Sequence, residues 1–132
     1  MRATHLLVAT LNPGKLKEIQ LFLESLYIPL LSLKVLPGVE SAQEEGTTFE
    51  ANARQKACYY SQFGKGLTIA DDSGLIVDAL NGEPGVYSAR YVSDQATDKE
   101  RNERILSQMG DIPESQRSAR FECCIALAQE GQ

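Results

Sequence analysis

Thr68-Ile69-Ala70-Asp71-Asp72-Ser73-Gly74 is the stretch whose reading decides the fold. An apolar run meets two adjacent carboxylates, a hydroxyl and a glycine, the order expected where a buried strand delivers acids to the rim of a sheet. The strand is expected to stop at Asp71, with Asp72 and Ser73 in the turn beyond it. Acids so placed can hold a divalent cation and act on an anion. A plainer reading is also open, because Asp, Ser and Gly are favoured turn residues whatever the function.

A second apolar run, Leu6 to Ala9, leads into Thr10, Leu11, Asn12, Pro13, Gly14 and Lys15, and then into a helical pattern. Strand, tight polar turn and helix start together form a natural phosphate cradle. Lysine is an uncommon choice in a first helical turn, where the dipole disfavours cations; an anion lying between it and the amides removes the conflict. Taken singly, Lys15 is a solvated charge.

Outward from these two stretches the elements alternate, which makes the chain α/β. Gly14 to Leu26 reads as an amphipathic helix with Leu16, Ile19, Leu23 and Leu26 on one face, and Leu30 to Val35 as a strand. Residues 37–46 form an acidic loop containing Gln43, Glu44 and Glu45. Thr47 with Glu50 has capping-box spacing and opens a helix whose Phe49, Ala53, Ala57 and Tyr60 share a face. Asn52 and Lys56, one turn apart on that helix, can present donors to one ligand. Thr97 with Glu100 repeats the capping pattern, followed by Ile105, Leu106 and Met109 on the apolar side and a stop at Gly110. Ser118 to Ala128 alternates as a strand, with Ala119, Phe121, Cys123, Ile125 and Leu127 on one face.

The 132 residues suit a single domain, and an apolar share of 42% suits a packed core. Neither a membrane segment nor a secretory signal is read, so a cytoplasmic location is expected. Three cysteines, two of them adjacent, make no disulfide framework and are expected to be reduced core residues. A net charge of -5 argues against nucleic acid as a partner. A mononucleotide remains compatible, because one lysine, a helix terminus and a metal neutralise it locally. Two tyrosines and an arginine in Val86 to Tyr91 have the composition of a protein interface.

Four motifs occur together and in order: Thr10 to Lys15, Gly46 to Ala53, Ala70 to Gly74, and the Pro-Gly-Val-Tyr-Ser-Ala-Arg-Tyr run from Pro84 to Tyr91. In these the chain resembles the N-terminal two-thirds of the inosine triphosphate pyrophosphatase, or Ham1-like, family. The resemblance implies a mixed, elongated, twisted sheet flanked by helices and lacking the C-terminal part of the family fold. It also implies Mg2+-dependent hydrolysis of ITP, dITP or XTP to the monophosphate and pyrophosphate, in a homodimer. On that footing Asp72 is general base and metal ligand, with Gln43 or Glu44 as a second ligand. Thr10, Leu11, Asn12, Pro13, Gly14, Lys15, Asn52, Lys56 and Ser73 contact substrate. Leu11 stands where the family usually has glycine, and Gln43 where it often has glutamate. The acid turn and the lysine-bearing bend are expected to converge on one cavity. Two alternatives stand beside this reading: a nucleotide-binding or oligomerisation module without turnover, and a Maf-like nucleotide pyrophosphatase.

Overall fold

The computed structural model describes residues 4–64 and 66–132. In chain order the elements are β1 (Leu6–Val8), α1 (Pro13–Leu23), β2 (Leu30–Ser32), α2 (Phe49–Ser61), β3 (Leu67–Val77), α3 (Asp98–Met109) and β4 (Ala119–Ala128), with short 3-10 turns between several of them. The strands make one sheet in the order β2-β1-β3-β4. β1 runs parallel to β2 and to β3, with Leu6, Leu7 and Val8 opposite Leu67, Thr68 and Ile69. The fold is α/β, as the alternating pattern implies.

Packing separates two compact units, one comprising the chain up to Asp72 together with Cys124–Gln132, the other Ser73–Cys123. In the first, successive side chains of β1 serve opposite sheet faces. Leu6 and Val8 join Ile69 under Leu16, Ile19 and Leu23 of α1. Leu7 and Ala9 join Ala70, Ala57, Tyr60 and Ala128 on the α2 side. α2 buries Phe49, Ala53, Ala57 and Tyr60, the face its periodicity predicts. In the second unit Val77, Ile105 and Met109 form the centre, with Leu75, Leu80 and Tyr91 packed around them.

Several sequence-based expectations need correction. β3 does not stop at Asp71: it runs on through Asp72, Ser73 and Gly74 to Val77. The polar quartet is therefore mid-strand, and neighbouring backbone satisfies groups that a turn would have satisfied locally. Leu26 is exposed in a 3-10 turn after α1, and Leu33–Val35 is a 3-10 turn following a strand of only three residues. Thr48, not Thr47, caps α2, its side chain accepting from the Ala51 N–H. Leu106 is exposed while Ile105 and Met109 are buried. On β4 the predicted apolar face points outward: Phe121 is 81% exposed and Ile125 and Leu127 are both 62% exposed, while Ala128 on the alternate side is buried. Cys123 is exposed rather than in the core, with Cys58 and Cys124 half-buried.

The capping box on α3 is complete, with the Glu100 N–H donating to Thr97 and the Thr97 N–H donating to Glu100. Thr97→Ala is expected to lower stability by about 1 kcal/mol. Leu7→Ala, which opens a void between the sheet and α2, is expected to cost roughly 2–5 kcal/mol. Urea denaturation followed by circular dichroism checks both, and equal midpoints for the two variants contradict this ranking.

Candidate active site

β1 gives out at Val8, opposite Ile69, and its last contact with β3 is the Ala9 N–H donating to the Ile69 carbonyl at 2.8 Å. Asp71 and Asp72 lie two and three residues further along β3. Both are buried. Adjacent strand residues point to opposite faces, so each acid meets a different helix. Asp71 follows Ile69 onto the α1 side, where its Oδ2 sits 2.8 Å from the Lys15 ammonium. Asp72 follows Ala70 onto the α2 side, where its Oδ2 accepts from the Asn52 side-chain amide at 3.0 Å.

The bend after β1 is built around Asn12. Its Oδ1 accepts from the N–H groups of Gly14 and Lys15 at 2.9 and 3.2 Å, and Pro13 occupies the first helical position. Thr10 supplies its hydroxyl to the Asn12 N–H at 3.1 Å. Leu11 is exposed and keeps a negative φ, so a leucine fits this bend without backbone strain. This changes what the cradle offers. The Gly14 and Lys15 amides are already satisfied and Pro13 has none, so an anion meets the Lys15 ammonium and the helix dipole rather than a row of spare N–H groups. Asp71 also supplies a partner for a lysine that the dipole alone disfavours.

On the other face the acidic loop lies along α2. The Ala42 N–H donates to the Tyr60 hydroxyl, the Tyr59 hydroxyl to the Glu40 carbonyl and the Glu45 N–H to Gln55, at 3.0, 3.0 and 3.4 Å. Lys56 reaches Glu44 at 2.8 Å. Glu44 is half-buried here, whereas Gln43 is exposed. Of the two candidate ligands, Glu44 is the one whose charge acts on Asp72.

Burial pushes the Asp72 carboxyl above the usual 3.8, and the Asn52 hydrogen bond opposes that rise. The charge of Glu44 raises it further, while Lys56 and Lys15 lower it. The structure thus brings together Asp72, Asn52, Glu44 and Lys56. Lys15 is paired instead with Asp71 on the other face of β3 and acts on Asp72 only through its field, so the expected convergence of bend and acids is not a direct contact with Asp72. Asn52, expected to face a ligand, is instead fully buried with both ends of its amide bonded to protein. Ser73 is half-buried on β3 at the start of the second unit. Asp71 as the partner of Lys15 was not singled out by sequence reasoning. Its parity on β3 was the available signal, hidden by the expectation of a turn.

In the run from Pro84 to Tyr91, Ser88 and Tyr91 are tied internally: the Leu75 N–H donates to the Ser88 hydroxyl, and the Tyr91 hydroxyl bonds to Gln108. Tyr87 is exposed, with the Arg90 guanidinium 5.7 Å from its ring centre.

A sheet in which β3 carries buried acids past the end of β1, beside two lysine-bearing helices, defines an α/β protein with a charged rim on its sheet. The chain belongs to the Ham1 family, whose model matches residues 6–132. It is 47% identical to the dITP/XTP pyrophosphatase of Geobacter sulfurreducens over 128 residues, covering 97% of this chain and 64% of that protein. The dITP/XTP pyrophosphatase of Oceanobacillus iheyensis is also 47% identical, with 96% and 65% covered. Among solved structures, a HAM1 protein from Coxiella burnetii superposes with a TM-score of 0.82 at 39% identity, covering 96% of this chain and 64% of that one. A nucleoside-triphosphatase, dITP/XTP pyrophosphatase, from Mycobacterium abscessus gives 0.79 at 40% identity, with 96% and 65% covered. The chain thus spans about 64% of the length of the first of these relatives.

A carboxyl whose folded pKa lies above its unfolded value binds its proton more tightly when folded, so its ionisation opposes folding. Its stabilising contribution is present below the unfolded value of 3.8 and is lost as pH rises through the raised folded value. Asp72→Asn is therefore expected to be more stable than the parent at neutral pH in a metal-free buffer, with the gap closing toward acid. Urea midpoints across that pH range check this; a gap that widens on acidification reverses the sign.

Proposed function

We propose that this chain carries the phosphate-handling half of a Mg2+-dependent nucleoside triphosphate pyrophosphatase. Its substrates in this reading are purine nucleotides outside the standard set (ITP, dITP and XTP), hydrolysed to the monophosphate and pyrophosphate. The observation that carries the reading is the Asp72 cluster: a buried carboxylate with a raised pKa, beside Glu44 and Lys56 and within the field of Lys15. The names of the similar proteins from Geobacter and Oceanobacillus support the substrate class. The continuous match over residues 6–132 supports one domain.

The donor set fits Mg2+. Among the described residues no group of three His, Cys, Asp or Glu side chains forms a cage of its own. Mg2+ is usually held by one or two carboxylates with substrate phosphates and water completing the shell. Asp72 and Glu44 are such a pair, and a cation held by them would offset the Glu44 charge that adds to the burial-driven rise of Asp72. Glu44 takes the place considered for Gln43. When bound, the ion supplies charge neutralisation at the phosphates.

The chain's own groups account for the rest. Asp72 accepts the proton of the attacking water, a role suited to a buried carboxylate whose pKa is raised above its usual value. Lys15 and Lys56 offset charge that builds on the phosphates, and both are held by acids that keep them aimed while no substrate is bound. Thr10, Asn12 and Gly14 shape the bend that presents Lys15, and Ser73 follows the base on the same strand. The exposed Tyr87–Arg90 pair supports a homodimer contact. A cytoplasmic location with no nucleic-acid partner completes the reading; among the described residues no helix is long and apolar enough to cross a membrane.

Incubation of the purified chain with ITP and Mg2+ is expected to release pyrophosphate, with Asp72→Asn lowering turnover by about 100-fold or more. ITP binding without pyrophosphate release assigns a nucleotide-binding module instead, and activity on dTTP or UTP alone points to the Maf-like alternative. Lys15→Ala is expected to raise KM far more than it alters the urea midpoint; unchanged kinetics remove Lys15 from the site.

A further inference from the structure

Asn52 sits in the second turn of α2 with 0% exposure. A buried amide in a helix interior is a poor choice for packing: its propensity is below that of Leu or Ala, and burying it costs free energy unless both ends are bonded. Both ends are bonded, and to different segments. Oδ1 accepts from the Gly46 N–H at 2.7 Å, and Nδ2 donates to Asp72 Oδ2 at 3.0 Å. The assignment of the two amide atoms is forced, because the Gly46 N–H needs an acceptor and the carboxylate needs a donor.

Gly46 is matched to this contact. A Cβ built on it would lie 2.6 Å from Asn52 Oδ1 and 2.8 Å from the Ala51 Cβ, so no other residue brings the loop this close. Tyr59, Tyr60, Gln55 and Lys56 also hold the acidic loop to α2, but their bonds end at the loop. The amide of Asn52 bonds the loop and Asp72 at once. An isosteric leucine makes neither bond, and aspartate keeps the acceptor but loses the donor.

We propose that Asn52 is a positioning residue, a buried clamp that ties the acidic loop at Gly46 to Asp72 and so fixes Glu44 in relation to that carboxylate. That the fixed pair serves a divalent cation rests on the function proposed above. Groups that orient ligands without touching the ion typically change metal affinity 10- to 100-fold when removed.

The test uses the full chain, with Asn52→Leu and Gly46→Ala made separately. Without metal or nucleotide, a glutamate-specific protease is expected to cut after Glu44 and Glu45 faster in both variants, with cutting after Glu114 unchanged. Mn2+, read by its free EPR signal, is expected to bind about tenfold more weakly or worse in both. Gly46→Ala leaves the Asn52 amide in place and keeps the test open should the leucine variant not fold. Wild-type cleavage rates at Glu44 and Glu45 in a folded variant overturn the clamp. Faster cleavage with undiminished Mn2+ affinity overturns its link to the ion. A parent chain that shows the cleavage pattern but binds no Mn2+ overturns the cation reading of the site and leaves the clamp standing.

Discussion

The site depends on a mismatch in strand length. β1 ends at Val8, and β3 continues from its partner Ile69 to Val77. Over the paired part, the strand is flanked by apolar side chains and can carry nothing charged. Past Ile69 the neighbour is gone on that side, and carboxylates can be buried from bulk water yet face helix ends and a polar loop. Had β1 been two residues longer, Asp71 would have lain beside a continuing strand, with less room for a lysine to reach it. The short first strand is thus what opens the rim.

The two acids are then stabilised by different means. Asp71 meets a full positive charge, and Lys15 meets a full negative one at the end of a helix that disfavours it. Asp72 meets a neutral amide as its direct partner, which supplies one N–H and no charge. An amide leaves part of the desolvation cost uncompensated, and the carboxyl stays raised. That difference suits the two to different work. A carboxylate locked to a lysine holds a cation in place, while a carboxylate left short of positive charge attracts a metal or a proton. The Glu44–Lys56 pair acts on Asp72 as a second acid with its own counter-charge, the acid raising the carboxyl and the lysine lowering it.

Much of this was legible in the residues. The α2 face read from Phe49, Ala53, Ala57 and Tyr60 is the face that packs, because a 3.6-residue apolar repeat against one sheet leaves little choice. Thr97 with Glu100 was legible because a capping box is local chemistry. Lys15 was legible as a charge in a first helical turn, Glu44 as part of an acidic loop, Lys56 as a helix residue one turn from Asn52, and Asp72 as an acid following an apolar run. The course of β3 was not. Asp-Asp-Ser-Gly is strongly turn-forming by propensity, and extended backbone through it depends on pairing partners that lie far away in the chain. The role of Asn52 was hidden for a related reason: an asparagine on a helix is usually outside, and its burial follows only from bonds to Gly46 in the preceding loop and to Asp72 on a strand twenty residues further along the chain.

β4 shows how far periodicity reaches and where it stops. From Cys123 onward both of its faces are apolar: Ile125 and Leu127, in line with Phe121, alternate with Cys124, Ala126 and Ala128. Counting at period two finds the strand but ranks the faces by side-chain size, which favours the larger set as the buried one. The structure buries the smaller set. Ala126 and Ala128 pack with Ala9, Ala57, Ala70 and Tyr60, a cluster in which small residues from both layers let α2 lie close to the sheet. Close approach is what the α2 side needs, since Asn52 must touch Asp72 and the loop at hydrogen-bond distance from the same helix. Exchanging the two faces of β4 would place Leu127 and Ile125 beneath α2, lift the helix from the sheet, and separate the amide from the carboxylate it holds. Side-chain volume on β4 and hydrogen-bond geometry at the site are therefore one constraint, expressed at two ends of the same helix-sheet layer.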